Sequence, residues 1–578
     1  MPSVQQRLEQ AFRDAIREAF DLDADPVVTV AQNEKFGDYQ SNAAMGLVRA
    51  VSEKTGGKAN PRAIAEQVRQ KVTPKLAELC DDPTIAGPGF INVRLKPGFL
   101  SSSVAAMARD PRLGVELTPS PTTIVLDYSA PNVAKEMHVG HLRTTIIGDA
   151  FARVFAFLGH RTIRQNHLGD WGTQFGMLIA HLASVGDSDT SQLADLEGFY
   201  RAAKKRFDED PAFAEESRRR VVRLQAGEPE ELAQWQRICD VTRAYIASIY
   251  DRLGVLLTRD DEKGESFYNP MLPAVVADLL HAKIAEESDG AVVVRVPGYE
   301  APLIIRKSDG GYGYGTTDLA AVRYRVGTLH ADRVIYVVGL PQSEHLAKVF
   351  WTAQQAGWTG NATLEHAGFG SVLGDDGKIF RTRAGGTVKL ATLLDEAVEK
   401  ARRLVDEKST SLPETRRADI ARAVGIGAVK YADLSRDRVG DYIFSFDSML
   451  SMDGNTAPYL QYAYARIRSI FRKAAEQSGN LDLSKAAVAL SEPAELALAK
   501  HLLRLGDVIA LVTRDLKPHV LCGYLYELAT KFSGFYESCP VLKSDEPTRS
   551  SRLILSDVTA RTLALGLDLL GIEHPEQM

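Results

Sequence analysis

Two histidines three residues apart, His138 and His141, flank Gly140 where a loop turns into a helix, in the string DYSAPNVAKEMHVGHLRTTIIGD at 127–149. The start of a helix carries free N–H groups and a partial positive charge, which suit phosphate oxygens. Residues three apart share one side of the first turn. Both imidazoles can therefore donate to one phosphate chain, more strongly if protonated. Gly140 has no side chain, so a flat base can approach the backbone there. The plainer alternatives are ordinary helix-start polarity, or a metal pair, for which no third ligand stands nearby.

These residues need a scaffold. TIVLDY (123–128) is a continuous apolar run and predicts a strand buried on both faces. It feeds the loop SAPNVAKEM and a helix from about His138 to Leu158. RTIRQNHL (161–168) predicts a second strand. AVVVRV (291–296), APLIIRK (301–307) and RVIYVVG (333–339) follow, with helical stretches at 317–326 and 343–357. Strands alternating with helices predict a parallel α/β sheet, whose ligands bind at the carboxyl ends of the strands, where this loop lies.

The chain has 578 residues, enough for roughly three or four domains at about 150 residues each. Hydrophobic residues make up 45% and charged residues 25%, ordinary for a large globular protein. A net charge of −6 argues against bulk coating of nucleic acid, so an RNA partner must be argued from local sites. Cys80, Cys239, Cys522 and Cys539 form no C-x-x-C pair and suggest neither a disulfide framework nor a zinc site. They fit a reducing compartment, and with no signal peptide or long apolar run the expected location is the cytoplasm, away from membranes.

Before the sheet, Val4, Leu8, Phe12, Ile16 and Phe20 mark one helix stripe. IAGPGFINVRL (85–95) predicts a turn and a strand. Proline-rich PRLGVELTPSPT (111–122) sets a boundary, giving an N-terminal α+β module at 1–115. The α/β domain then spans 120–405, with a charged helical insertion at about 187–255. Helical residues 420–578 follow.

The sequence H-V-G-H resembles the HIGH signature of class I aminoacyl-tRNA synthetases. APNVAKEMHVGHLRTTIIGD and NHLGDWGTQFGMLI (166–179) resemble the arginyl-tRNA synthetase version, of bacterial type. FGDYQSNAAM near the N-terminus and NTAPYLQYAYARIRSI (455–470) extend the likeness along the chain. The resemblance implies a Rossmann-like catalytic domain and an all-α anticodon-binding domain. It implies ligation of L-arginine to tRNA(Arg) through arginyl-adenylate, with ATP and Mg2+ as substrate, no tightly bound cofactor, and a monomer. It also implies that tRNA takes part in the first step. The second family signature, KMSKS, is absent. Its counterpart is GDDGKIFRTRAGGT (374–387), where Lys378, Arg381 and Arg383 suit pyrophosphate. Lys135, three residues before His138, is a candidate for the missing charge, against the alternative of a solvated loop lysine.

A guanidinium donates five N–H bonds in a planar fork, so an arginine pocket needs carboxylates. Asp318 and Asp127 are candidates. The family's arginine contacts, carried over, fall on the turn Ser129, Ala130, Pro131, Asn132 and on His141, Tyr314, Asp318 and Gln342. Helix capping for Asp318, core packing for Tyr314 and a plain loop role for Gln342 remain open. The resemblance places tRNA contacts at Phe36, Tyr39, Gln40 and Asn42, with Tyr459, Tyr462 and Arg466 as stacking groups in the helical module. Leu460, Tyr464, Ile467 and Phe471 form a stripe expected in the core. Two rival readings are a relative that activates another substrate and a catalytically inactive tRNA-binding paralogue, which the altered second signature keeps open.

Overall fold

In the computed structural model, residues 3–185, 195–374, 376–380, 388–410, 412–478, 483 and 486–578 are described. The chain opens with the helix Val4–Phe20, started by a capping box between Ser3 and Gln6. Val4, Leu8, Phe12 and Ile16 are buried, as their spacing predicts. This helix lies on Pro61–Leu76 beside a four-stranded antiparallel sheet, in the order Val28–Val30, Tyr39–Ser41, Phe90–Val93, Thr84–Ala86.

The central sheet is parallel and four-stranded, in the order Thr363–His366, Arg333–Tyr336, Thr123–Asp127, Arg161–Gln165. Thr123–Asp127 is buried on both faces, as its unbroken apolar run requires. The helix Val139–Phe157 behind it is buried around almost its whole circumference. Gly148 is needed there, because a Cβ would come 2.2 Å from Cγ of buried Tyr128.

The two apolar runs at 291–296 and 301–307 do not join this sheet. Ala291–Val294 and Leu303–Arg306 pair antiparallel with each other, and Glu286–Ser288 makes a third strand. Only residues 295–302 separate them, too few for the crossover of about a dozen residues that parallel strands need. The insertion contributes the helices Leu196–Glu209, Pro211–Gln225 and Pro229–Leu253.

The helices Leu390–Lys408, Glu414–Leu434, Ala457–Ser478, Pro493–Leu502, Leu505–Asp515, His519–Ser538 and Thr548–Leu569 form the C-terminal part. One apolar core runs through the N-terminal module, the signature helix and these helices. Asp38 of FGDYQ is paired with Lys500 at 2.7 Å, so the two ends of the chain meet directly. No helix among the described residues is long and apolar enough to cross a membrane.

Candidate active site

The loop after Thr123–Asp127 is strained. Ser129, Ala130 and Ala134 all have positive φ, at 74°, 47° and 62°. Non-glycine residues in that region cost of order 1–3 kcal/mol each and persist only where neighbours hold them. The Ser129 Oγ lies 2.8 Å from Thr145 Oγ1 and 2.7 Å from the Tyr250 hydroxyl. The Ala130 N–H donates to Asn166 Oδ1, and the Ala134 N–H to Thr242 Oγ1. The hydroxyl of Ser129 is therefore spent on shaping the loop. Pro131 is buried, while Ala130 and Asn132 are exposed. The Asn132 side chain lies against Gly169, where a Cβ would come 2.2 Å from its Oδ1.

His138 caps the signature helix. Its Nδ1 accepts from the Gly140 N–H at 3.0 Å, and His141 Nδ1 accepts from the His138 N–H at 3.1 Å. The rings stand 3.9 Å apart. Burial lowers the pKa of His138, with Lys135 adding to it. Burial lowers that of His141 to about 3, with a contribution from His138. Both rings are therefore neutral near pH 7, rather than protonated. A neutral ring that accepts at Nδ1 carries its proton on Nε2, so two Nε2–H donors are fixed at the helix start.

The backbone donors are already engaged. The Val139 N–H goes to the Val388 carbonyl at 3.0 Å, Gly140 to His138 Nδ1, and His141 to the His138 carbonyl at 2.8 Å. The first turn thus offers imidazole donors and its dipole instead of free amides. Gly140 also serves the histidine itself, since a Cβ there would come 2.8 Å from the His138 ring.

His138, Gly140, Gly339, Phe369, Gly370 and Val372 line a cleft of about 210 Å³. Lys135 is exposed, 4.8 Å over the Tyr200 ring, with its charge felt by both imidazoles. Lys378 is exposed on the tight hairpin closed by the Leu373–Ile379 bridge. Arg381 and Arg383 lie outside the described residues. Lys389, beside His138, is paired with Glu136 at 2.9 Å.

From Gly339 and Pro341 in the cleft lining the chain leads into Gln342. Gln342 is exposed and precedes the helix Ser343–Gln355. Asp318, one turn into Tyr314–Gly327, meets His345 Nε2 at 2.5 Å. This hydrogen bond raises the His345 pKa, against the opposing effect of burial. Tyr314 is 76% exposed, so it is not a core residue. Glu265 was not singled out in the sequence. Burial, with Asp170 and Asp318 close by, pushes its carboxyl up to about 8. Asp170 accepts from the Ser266 N–H and Oγ at 2.9 and 2.7 Å. Burial first, and then the neighbouring acids, favour the protonated form of Glu265, and a cation beside these carboxyls would offset both.

Asp127 is not available as a free carboxylate. It is paired with buried Arg325 at 2.7 Å, and Arg325 packs on the Tyr336 ring. The chain's own guanidinium occupies it.

Of the anticipated RNA contacts, Phe36 is 50% exposed, but Tyr39 is buried and Gln40 donates to Asn92 Oδ1 at 2.8 Å. Asn42 precedes the helix Ala43–Thr55 without a side-chain capping bond. Tyr462 is exposed, Tyr459 packs at 5.6 Å on Tyr526, and Arg466 lies 4.9 Å over Tyr536. Leu460, Tyr464 and Ile467 are buried, with Phe471 packed against the core. Tyr526 and Tyr536, on the helix His519–Ser538, carry the aromatic contacts onto a neighbouring helix.

Family models match nearly the whole chain. Residues 6–95 match the arginyl tRNA synthetase N terminal domain, 104–446 the class I (R) tRNA synthetase catalytic domain, and 460–578 the DALR anticodon binding domain. The chain belongs to the arginyl-tRNA synthetase family. It is 50% identical to an arginine–tRNA ligase of Synechococcus elongatus, over 99% of each chain. It is 52% identical to one from an Enterobacter species, over 96% of each. Its structure resembles arginyl-tRNA synthetase of Plasmodium falciparum at a TM-score of 0.87 and 31% identity, and that of Thermus thermophilus at 0.82 and 27%. Both likenesses cover 100% of each chain.

Proposed function

We propose that the chain is an arginine–tRNA ligase that consumes ATP. The observation that carries the choice of amino acid is the closeness of the Asp318 and Glu265 carboxyls, near enough for one to raise the pKa of the other. In this reading ATP lies in the cleft and the arginine guanidinium meets Asp318 and Glu265. Tyr314 and Gln342 border the pocket, and Asn132 faces the α-amino or carboxylate end.

The arginine carboxylate attacks the α-phosphorus of Mg·ATP. A carboxylate O–P bond forms, and the bond to the bridging oxygen of pyrophosphate breaks. The attacking carboxylate is already ionised, so no general base is needed, and the residues act by positioning and charge. The Nε2–H groups of His138 and His141 donate to phosphate oxygens. Lys135, Lys378, Arg381 and Arg383 stand for the leaving pyrophosphate. In the second step the terminal 2′-hydroxyl of tRNA attacks the arginyl carbonyl, its proton leaves, and AMP departs. In this reading magnesium enters with ATP as part of the substrate.

We divide the chain into a tRNA-contacting module at 1–115, a catalytic domain at 120–405 and an anticodon-binding domain at 420–578. The three family matches support this division, although the middle one reaches 446. We place the enzyme in the cytoplasm as a monomer, a location supported by four free cysteines. Nothing observed favours an inactive paralogue, since both histidines stand in donor-ready geometry.

Arginine-dependent exchange of pyrophosphate into ATP, in the presence of tRNA, tests the first step. Exchange should appear with L-arginine and vanish with citrulline, which lacks the positive charge. Equal exchange with both would overturn the acidic-pocket reading.

A further inference from the structure

Phe369, Gly370, Ser371 and Val372 form one wall of the histidine cleft. They lie beyond the end of the strand Thr363–His366, where Phe369 bridges to Gly339 and Val372 pairs with Tyr442. Arg438 fastens the same segment through its side chain and its carbonyl. Its guanidinium donates to the Gly368 carbonyl, and its own carbonyl accepts from the Gly370 N–H at 2.9 Å. One residue therefore grips the chain on both sides of Phe369.

Arg438 reaches the other way as well. Its Nε donates at 2.8 Å to the carbonyl of Leu516, the left-handed residue ending the helix Leu505–Asp515. Beside it, Asp437 is paired with Lys517 at 2.9 Å. Arg143, two residues after His141, closes the arrangement. Its Nη2 donates to the Arg438 carbonyl and its Nη1 to the Gly440 carbonyl, both at 3.2 Å. Its Nε lies 3.0 Å from buried Asp433. The 516–517 turn, within the stretch matching the DALR anticodon binding domain, is thus joined through one side chain to the cleft wall. An arginine suits the task because its rigid fork spans two carbonyls in different directions, which an ammonium cannot do in the same way.

We propose that Arg438 is a positioning residue that transmits the position of the C-terminal helical module to Phe369, so that tRNA bound there changes ATP affinity. This rests on the reading that the cleft holds ATP. A clamp that only stabilised the fold would leave ATP affinity indifferent to tRNA. A transmitting contact makes the two ligands thermodynamically coupled.

The test measures the ATP dissociation constant by calorimetry on the full chain, without arginine, with and without saturating tRNA. Wild type should show a shift of about 5-fold or more on adding tRNA. Arg438→Gln should abolish the shift, and Arg438→Lys should restore part of it. Lys517→Met, at a pair whose side chains are 38% and 45% exposed, leaves the fold intact and should shrink the shift. The proposal is overturned if wild type shows no shift, or if Arg438→Gln and Lys517→Met keep the wild-type one. Wild-type protein that binds tRNA but no ATP would instead refute the reading of the cleft.

Discussion

Glu265 makes arginine binding depend on pH in a direction that the structure dictates. Without ligand its carboxyl sits at about 8, raised by burial and by Asp170 and Asp318. A guanidinium in the pocket favours the ionised form and returns it toward the usual carboxylate range. The complex then holds one proton fewer than the free enzyme, so affinity rises with pH and levels off above about 8. At pH 6 only about one free enzyme in 100 has the carboxyl ionised, so arginine should bind about 100-fold more weakly than on the plateau. Calorimetry with L-arginine at pH 6, 7 and 8 measures this, and two buffers of different ionisation enthalpy count the proton released. Glu265→Gln removes the titration. Its binding should be flat with pH and about 30-fold or more weaker than wild type at pH 8.5, as for a truncated buried charge pair. Flat wild-type affinity between pH 6 and 8, with no proton released at pH 7, would refute the reasoning.

Each of His138→Ala and His141→Ala should cut the rate of adenylate formation by about 10²–10³, the loss of one fixed donor to developing charge. Because both imidazoles are already neutral, the wild-type chemical step at saturating arginine should show no imidazole titration between pH 6.5 and 8 in single-turnover measurements. Asp127→Asn strands buried Arg325 and should cost about 3–5 kcal/mol in urea unfolding, with KM for arginine unchanged in the enzyme that remains folded. Gly148→Ala drives a methyl into Tyr128 and should lower stability by about 1–3 kcal/mol in the same assay. Tyr462→Ala should weaken tRNA binding by about 1–3 kcal/mol, read by filter binding, and leave the affinity for ATP alone unaltered.

The first strand, the signature helix and the stripe of Val4–Ile16 were legible because apolar periodicity reports burial directly. The antiparallel sheet at 286–306 was misread, since apolar runs look alike in either sheet type and only the short PGYE turn separates the cases. His138, Gly140 and His141 were legible from type and spacing. Their charge state was not, because it is set by burial and by which N–H each Nδ1 accepts. Glu265, His345 and Arg325 went unnoticed for a common reason. Each matters through a partner far away in sequence, namely Asp318 for the first two and Asp127 for the third. The same distance made Asp127 look available. Tyr39 shows the limit of reading exposed aromatics from a motif, since FGDYQ turns this ring inward while Phe36 stays outside.

Charging of total tRNA with each standard amino acid in turn tests the central claim most directly, using wild type and the double variant His138→Ala, His141→Ala. Arginine alone should be attached by wild type, and attachment should be lost in the double variant while tRNA binding persists. Charging with a different amino acid, or none from folded protein that still binds tRNA, would contradict it.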